Sequence, residues 1–470
     1  MGRKMKQQRL IISLLALLLL FVSPVVSGQE KTASQTQIDF SKLEESIMAE
    51  LKETNTPGAA VGIVKGDKLI FAKGFGVSNI ETGAPVTPEM LFRVGSITKM
   101  FTAAALVTLV EKGKLKLDEP IGKYAKGLDA RIAQLTANQL LSHTSGFKDG
   151  TVMSGAHANS VLGETVRAIK ADWLFTEPGK IFSYSNPGYQ VAGYVIEEVS
   201  GKSYDDQMEE SLFKPLGMKT TTLRPTIAMT RPLSQGHDVA DGQLKLIRTV
   251  SEIAGAGPSG SIFSSVADLS RFAIAFMNGG RIQERQALLP EVIKQLSTPH
   301  ANIPGSEYKY GYGLRIGQSR GIRVFGHGGT INGFGSEIVM APDHRVAIII
   351  LANKVGERLP KSLEKAMELT LPLEAKAPEN SNPLPLSASD ADRYVGRYGF
   401  TETILEVFFD NGKLLIKDGG KSAPMNKISE TRFTLTPVGA SRQEEFFFVI
   451  GADGNAEFLH TRLRSLKRLP

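Results

Sequence analysis

The distribution of apolar runs along the 470-residue chain constrains its fold more than any other feature. Runs typical of β-strands lie on both sides of a central region, residues 131–300, in which helical patterning dominates. Strands from such distant parts of a chain can share one sheet, which the intervening helices then cover. The sequence therefore predicts an α+β or α/β sandwich. The predicted strands are 59–66, 68–76, 310–316, 321–326, 334–341 and 345–352.

The chain after residue 370 has a different character. Residues 371–388 contain four prolines and show little periodicity, which is typical of a linker. Beyond the linker only short β-type runs follow, and Asp410-Asn411-Gly412 is a strong hairpin signal between two of them. We therefore expect a large domain at 29–370 and a small β-rich domain at 389–470.

The first 28 residues have the three parts of a secretory signal peptide. Four basic residues precede an apolar run over 10–22, and small residues follow at 26–28. The alternative is an uncleaved membrane anchor, but the run is shorter than the roughly 20 apolar residues that a spanning helix needs. We expect a periplasmic or secreted bacterial protein without an integral membrane segment after cleavage.

Charge and cysteine content exclude several functions. The net charge is +7, and it falls to +3 without the leader, which holds four Lys and Arg and no acidic residue. No clustered basic face predicts nucleic-acid binding, and the basic residues at 462–468 are typical of a solvated edge strand. Because the chain has no cysteine, disulfides, thiolate metal sites and a cysteine nucleophile are excluded.

Ser96 and Lys99 are the first candidates for catalysis. They open an apolar helix predicted over 96–112, and residues three apart lie on one face of a helix. The helix dipole and the apolar surroundings both disfavour a charged Lys99, so its amine is expected to act as a base for the Ser96 hydroxyl. Five S-x-x-K sequences occur in the chain, and helix capping is the alternative role for Ser96.

Two further segments strengthen this assignment. Tyr184-Ser185-Asn186 is the only Y-x-N sequence and lies in a proline- and glycine-bounded loop, where a phenol could carry a proton and an amide could hold a substrate. His327-Gly328-Gly329-Thr330 follows a β-type run, and its glycines would let a substrate backbone approach closely. Each segment alone would be explained better by packing or by a turn than by catalysis.

Together and in this order, the three segments resemble the serine β-lactamase and penicillin-binding-protein superfamily, in particular its branch of class C β-lactamases, D-aminopeptidases and esterases. The resemblance covers about residues 40–370. It implies an antiparallel sheet flanked by helices with a helical subdomain, and for 389–470 a lipocalin-like domain. It also implies Ser96 as the acylated nucleophile, Lys99 and Tyr184 as proton carriers, and Asn186, His327, Gly328, Gly329 and Thr330 as substrate-binding residues. The backbone N–H groups of Ser96 and Thr330 would form the oxyanion hole.

One departure from the family pattern bears on the substrate. Many members have K-T-G where this chain has His327-Gly328-Gly329, so a charge and a hydroxyl that would bind a substrate carboxylate are missing from the strand. The sequence therefore predicts that neutral esters and amides are better substrates than β-lactams or peptides with a free carboxylate. His143, in a second supporting segment, is expected to hold its loop.

The expected activity is hydrolysis of an amide or ester through a covalent acyl-enzyme, with a small molecule, a short peptide or a cell-wall fragment as substrate. No cofactor is implied, and no histidine spacing indicates a metal site. The alternative is a non-hydrolytic peptidoglycan- or ligand-binding protein on the same scaffold. A G-x-S-x-G sequence at 317–321 lies between β-type runs and is predicted to be a hairpin turn rather than a nucleophile elbow.

Overall fold

A computed structural model describes residues 38–150, 158, 160–248, 254–376, 382–400, 403–435 and 443–470. The predicted leader and part of the predicted linker lie outside these ranges. Within them, no helix is both long enough and apolar enough to cross a membrane. Residues Phe40–Pro470 form one compact unit.

Thirteen α-helices occur in the described ranges. They are α1 (Ser41–Glu53), α2 (Thr98–Glu111), α3 (Ala137–Leu141), α4 (Val161–Arg167), α5 (Asn186–Ser200), α6 (Tyr204–Met208), α7 (Lys214–Leu216), α8 (Pro225–Ala228), α9 (Gly257–Gly260), α10 (Val266–Met277), α11 (Pro290–Ser297), α12 (Pro360–Thr370) and α13 (Ala388–Ala391). The longer helices of the central region, α5 and α10, are those that the periodicity predicts. Each is preceded by an N-cap serine, Ser185 or Ser265, whose side chain accepts a hydrogen bond from a backbone N–H of the first turn.

The described strands before residue 370 number fourteen. They are β1 (Gly58–Lys65), β2 (Lys68–Gly76), β3 (Phe92–Arg93), β4 (Gly236–Ala240), β5 (Gln243–Ile247), β6 (Phe263–Ser264), β7 (Arg281–Ile282), β8 (Arg285–Gln286), β9 (Ala301–Asn302), β10 (Lys309–Tyr310), β11 (Arg315–Ser319), β12 (Ile322–Ile331), β13 (Phe334–Ala341) and β14 (Val346–Ala352). Eight of them form the main antiparallel sheet in the order β2-β1-β14-β13-β12-β11-β10-β9.

Strands from both sides of the helical region meet in this sheet, as the sequence predicts. β1 pairs with β14 from Ala59–Ala352 to Lys65–Val346. Alternate residues of β1 enter two different cores, Ala60 and Val64 on one face and Ala59, Val61 and Ile63 on the other. Helices α2, α5 and α10 contribute to the first core, and α1 and α12 to the second. The fold is thus an α+β sandwich.

Two local expectations have different outcomes. Residues 310–316 form two short strands rather than one, because the backbone turns at Gly313, which has φ of +72°. A side chain at Gly313 would come within 2.6 Å of the Lys99 carbonyl, so the turn packs directly against α2. The G-x-S-x-G segment is a hairpin turn, as predicted: β11 ends at Ser319 and pairs with Ile322 of β12.

Helix α2 shows why an all-round apolar pattern indicates burial. Every residue from Thr98 to Leu109 is buried. The helix starts two residues later than predicted, because Gly95–Ile97 form a 3₁₀ turn first. Ser96 therefore lies just ahead of the α-helix, on a turn that presents its side chain to the sheet.

The C-terminal residues form a second antiparallel sheet of eight strands in sequence order. Its core contains five large aromatic side chains, Tyr394, Tyr398, Phe433, Phe446 and Phe448. A bridge between Tyr398 and Arg468 joins its first and last strands, which gives a barrel-like all-β unit. The strands are β15 (Gly396–Phe400), β16 (Thr403–Asp410), β17 (Lys413–Asp418), β18 (Lys421–Lys427), β19 (Arg432–Leu435), β20 (Glu444–Ile450), β21 (Ala456–Thr461) and β22 (Arg464–Lys467).

The boundary at 371–388 stays a prediction that limited proteolysis can test. We expect the first cut within this segment, because it is rich in proline and its described residues 374–376 and 382–385 are exposed to a protease. The two fragments should still co-elute in gel filtration, because Phe175 packs on Phe400 and Phe458 of the second sheet. Early cleavage within 264–278, with the linker intact, would contradict the boundary.

Candidate active site

Ser96 occupies the turn that connects β3 to α2. Gly95, immediately before it, has φ of +52°, and a side chain there would lie 2.8 Å from the Thr330 nitrogen. Glycine is required for both reasons, since other residues avoid this conformation and have no room. The turn therefore sets Ser96, which is partly exposed, beside the end of β12.

The amine of Lys99 is fully buried and has three polar neighbours. It lies 3.2 Å from Ser96 Oγ, 2.8 Å from Asn186 Oδ1 and 2.6 Å from the Ser259 carbonyl oxygen. Burial lowers the pKa of Lys99 from 10.5 to about 7, and the Asp149 carboxylate opposes this shift while the Arg464 guanidinium adds to it.

The neighbours of Lys99 decide where its lone pair points. Oδ1 of Asn186 and the carbonyl of Ser259 are acceptors only, so a neutral amine donates its two protons to them. Its lone pair is then left for the third neighbour, the hydroxyl of Ser96. The geometry therefore suits proton transfer from Ser96 Oγ to Lys99 Nζ.

The ring of Tyr184 packs beside the amine of Lys99. The ring centroid of Tyr184 is 4.8 Å from Lys99 Nζ, and its buried hydroxyl has no hydrogen-bond partner within the described residues. Burial raises the pKa of Tyr184, while the nearby hydroxyl of Ser96, which lies outside hydrogen-bond geometry, opposes the rise in part. A buried hydroxyl without a partner costs free energy, about 1–3 kcal/mol by mutational data. Such a group is typical of a site that completes its hydrogen bonds with a ligand.

Asn186 is fixed at both its side chain and its backbone. It opens α5, and its N–H donates to Asp149 Oδ1 at 2.9 Å. The other carboxylate oxygen of Asp149, which is only 7% exposed, forms an ion pair with Arg464 of β22. Three contacts, from Arg464 to Asp149, from Asp149 to Asn186 and from Asn186 to Lys99, thus join the second sheet to the Lys99 amine.

Two buried histidines are joined through Tyr310. The N–H of Ser185 donates to His143 Nδ1 at 3.1 Å, so the His143 proton is on Nε2, which bonds the Tyr310 hydroxyl at 3.2 Å. Tyr310 then donates to His327 Nε2 at 3.0 Å, and His327 Nδ1 donates to the Gly328 carbonyl at 2.6 Å. Burial lowers the pKa of both histidines well below 6.5, so the hydrogen-bonded series of His143, Tyr310 and His327 carries no charge.

The last five residues of β12 extend past its final pair with β11, Arg315–Gly326, and lie against the turn at residues 94–96. A side chain at Gly329 would overlap the Val94 carbonyl and the Ser336 hydroxyl. Glycine at this position therefore allows the close approach of β12 to the Ser96 turn. Thr330 is the exposed residue of this segment.

A guanidinium lies at the same strand. Arg358 donates to Thr330 Oγ1 at 3.1 Å, and both Arg358 and Glu337 border the space that a side chain at Gly328 would fill. Glu337 also pairs with Arg315 at 2.6 Å, so two guanidinium groups share one carboxylate. Two guanidinium groups and one carboxylate leave one net positive charge beside Thr330. The sequence predicted no positive charge at this strand.

The structure brings all eight predicted site residues into one region. His327 differs from the others, because both of its ring nitrogens are used within the protein. The residues that sequence reasoning missed are Asp149, Ser259, Tyr310, Arg358 and Arg464. None of them lies in the three segments, so no local pattern pointed to them.

The fold and the site define a class, the serine β-lactamase and penicillin-binding-protein superfamily. The profile of the Beta-lactamase family matches residues 40–371, and the chain belongs to this family. The resemblance drawn from the sequence is thereby confirmed, while the roles of the individual site residues stay predictions.

Similar proteins extend this comparison. Protein flp of Staphylococcus aureus strain MW2 is 28% identical over 337 residues, or 70% of this chain and 65% of that protein. This chain thus spans 65% of the length of the flp sequences it matches. Penicillin-binding protein 4 of Amycolatopsis lactamdurans is 28% identical over 67% of this chain and 85% of that protein.

Solved structures show the same architecture. The octameric penicillin-binding protein homologue from Pyrococcus abyssi is 25% identical with a TM-score of 0.65 and covers 92% of this chain and 100% of its own. SurE with D-Leu, 23% identical, has a TM-score of 0.73 over 91% of this chain and 99% of its own. D-amino acid amidase from Ochrobactrum anthropi SV3, 24% identical, has a TM-score of 0.58 over 70% of this chain and 98% of its own. The last two likenesses concern the fold alone.

The low pKa of Lys99 can be measured without any substrate. In protein labelled with ¹³C-lysine, one Cε resonance should titrate with a midpoint near pH 7, because burial disfavours the charged amine. Ordinary lysines titrate near 10.4. The Lys99→Arg variant should lose this resonance and so assign it. A Lys99 signal that titrates only above pH 9 would contradict the buried, neutral amine.

Proposed function

We propose that the protein is a secreted serine hydrolase that cleaves an amide or ester through an acyl-enzyme on Ser96. The observation that carries the proposal is the Lys99 amine, buried between two acceptors with its lone pair left for the Ser96 hydroxyl. Secretion rests on the leader pattern alone.

The proposed reaction has two halves. Ser96 Oγ attacks the substrate carbonyl carbon and passes its proton to Lys99 Nζ. The N–H groups of Ser96 and Thr330 bind the oxyanion, and the carbonyl–leaving-group bond breaks as the leaving atom takes a proton that Tyr184 and Lys99 supply. Water then attacks the acyl carbonyl carbon and gives one proton to the same pair. The pair passes that proton to Ser96 Oγ as the ester bond breaks, which releases the product acid and restores Ser96.

Membership of the family supports the proposed substrate class. D-amino-acid peptides, amides or esters and β-lactam-type substrates all present a carbonyl to such a site. The alternative function, a non-hydrolytic ligand-binding protein, is disfavoured because the nucleophile and its base are both present and in contact.

The central experiment compares wild type with Ser96→Ala on p-nitrophenyl acetate, nitrocefin and a D-aminoacyl amide. The variant should fold and lose several orders of magnitude in turnover, because no neighbouring group can replace the nucleophile. Intact-mass measurement after an acylating probe should show one adduct, at Ser96. An adduct at Ser319, or turnover by Ser96→Ala, would contradict the proposal; adduct without turnover would favour the binding protein.

Arg358 changes the expected substrate preference. The strand itself offers no charge, but the surplus guanidinium beside Thr330 can bind a carboxylate with its remaining N–H donors. We therefore expect a free carboxylate near the scissile bond to improve kcat/KM, opposite to the preference predicted from the strand alone.

A matched substrate pair tests this expectation. One acid and its methyl ester are compared in wild type and in Arg358→Met, which keeps much of the apolar stem. The acid should be better in wild type by about tenfold or more, since a charged hydrogen bond is worth roughly 1.5–3 kcal/mol. The advantage should vanish in the variant, while the ester rate changes little. An ester preference in wild type would restore the expectation drawn from the sequence.

A further inference from the structure

The turn between β21 and β22, residues 461–464, reaches the active site from the second sheet. The N–H of Tyr184 donates to the carbonyl of Leu463 at 2.8 Å. The side chain of Leu463 also packs against a small apolar cluster of Phe182, Ile303 and Tyr310, against which Tyr184 packs as well. The carbonyl and the side chain of one residue thus hold the segment that carries Tyr184.

Neighbouring residues fasten the turn in this place. Ser465 donates from its N–H to Ser183 Oγ at 3.2 Å and from its hydroxyl to the Phe182 carbonyl at 2.9 Å. His460 bonds the same hydroxyl at 2.8 Å. These bonds are buried, so the position of the turn relative to residues 182–184 is well determined.

The backbone of the turn is strained. Arg462 and Leu463 have φ of +48° and +68°, a conformation that two-residue hairpin turns need and that Asn and Gly usually supply. Arginine and leucine occupy it at a conformational cost, which persists only where the surroundings over-determine the backbone. Here the docked Leu463 carbonyl and side chain supply that constraint.

Arg464 links the turn to the nucleophile through a continuous series of contacts. Its guanidinium pairs with Asp149, Asp149 accepts the N–H of Asn186, and Asn186 Oδ1 accepts from Lys99. Lys99 in turn contacts Ser96. The guanidinium of Arg464 is half exposed, whereas the carboxylate that it pairs with is buried.

We propose that the β21–β22 turn is a positioning element of the active site, in which Leu463 holds Tyr184 and Arg464 holds Asn186 through Asp149. The proposal rests on the proposed function, because it assigns the turn to the machinery around Ser96. The C-terminal sheet would then affect the reaction through the positions of Tyr184 and Asn186, apart from any effect on stability.

Arg464 should also affect the charge state of Lys99. The groups that face this amine are Asp149, Arg464, Tyr184, Tyr189, His143 and His327. The histidines and tyrosines are neutral, so Asp149 and Arg464 are the opposed charges that remain. Without Arg464, the Asp149 carboxylate acts alone and raises the pKa of Lys99. Because the neutral amine is the base, the acidic limb of the rate profile then moves to higher pH.

The test uses the full-length protein and Arg464→Met, with Arg462→Met as the matched control. Arg462 lies in the same turn, but its guanidinium pairs with Glu444 of the second sheet rather than with Asp149. We expect Arg464→Met to lower kcat for p-nitrophenyl acetate by about tenfold or more, since small misplacements can cost up to ~10²-fold. Its acidic limb should shift upward by on the order of half a pH unit. Arg464→Lys should restore the limb, and Arg462→Met should match wild type.

The pH midpoint does not depend on the folded fraction, so a loss of stability in Arg464→Met cannot mimic the shift. Arg464→Gln serves if the methionine variant does not fold. Unchanged kcat and an unchanged midpoint in Arg464→Met would overturn the inference, as would equal effects in Arg462→Met. If wild type turns over the ester and Ser96→Ala does not, either of these results rules out the positioning role of the turn and leaves the proposed function intact. If Ser96→Ala is active, the proposed function itself fails.

Discussion

The burial of the Lys99 amine is the constraint on which the rest of the site depends. A charged ammonium group in an apolar interior is costly, so burial lowers its pKa to about 7 and favours the neutral amine. A neutral amine is useful only if its lone pair is directed, and the acceptors at Asn186 and Ser259 direct it by taking both protons. These acceptors come from segments 87 and 160 residues away, so the base exists only in the folded chain.

A neutral series of hydrogen bonds joins the Tyr184–Asn186 segment to the sheet. His143, Tyr310 and His327 come from the helical region, β10 and β12, and every ring nitrogen among them has one defined role. Neutral histidines matter here, because a proton on His143 Nδ1 would face the N–H of Ser185 and leave two donors without an acceptor. The two histidines therefore add no positive charge beside Lys99.

Sequence patterns predicted the parts of this structure that depend on local spacing. The i,i+3 relation of Ser96 and Lys99, the all-round burial of α2 and the shared sheet follow from periodicity and helix geometry. The turn at Gly313 was missed because the apolar run continues through it. Arg358 and Arg464 were missed for another reason: basic residues outside a motif are normally solvated, and only the tertiary fold brings these two to the site.

The placement of charge then explains how one site can combine a neutral base with attraction for an anion. Lys99, Tyr184, His143 and His327 form a neutral interior, whereas Arg358 and the Arg464–Asp149 pair stand at its more exposed edge. Arg464 at this edge lowers the pKa of Lys99, and the surplus charge of Arg358 is available to a substrate carboxylate. The neutral interior groups and the charged edge groups could not change places, because a cation in the interior would bear the full cost of desolvation. A neutral group at the edge would in turn provide no attraction over the distance that a substrate travels on entry. The second sheet supplies part of this charged edge, which is a physical reason for its docking beside Tyr184.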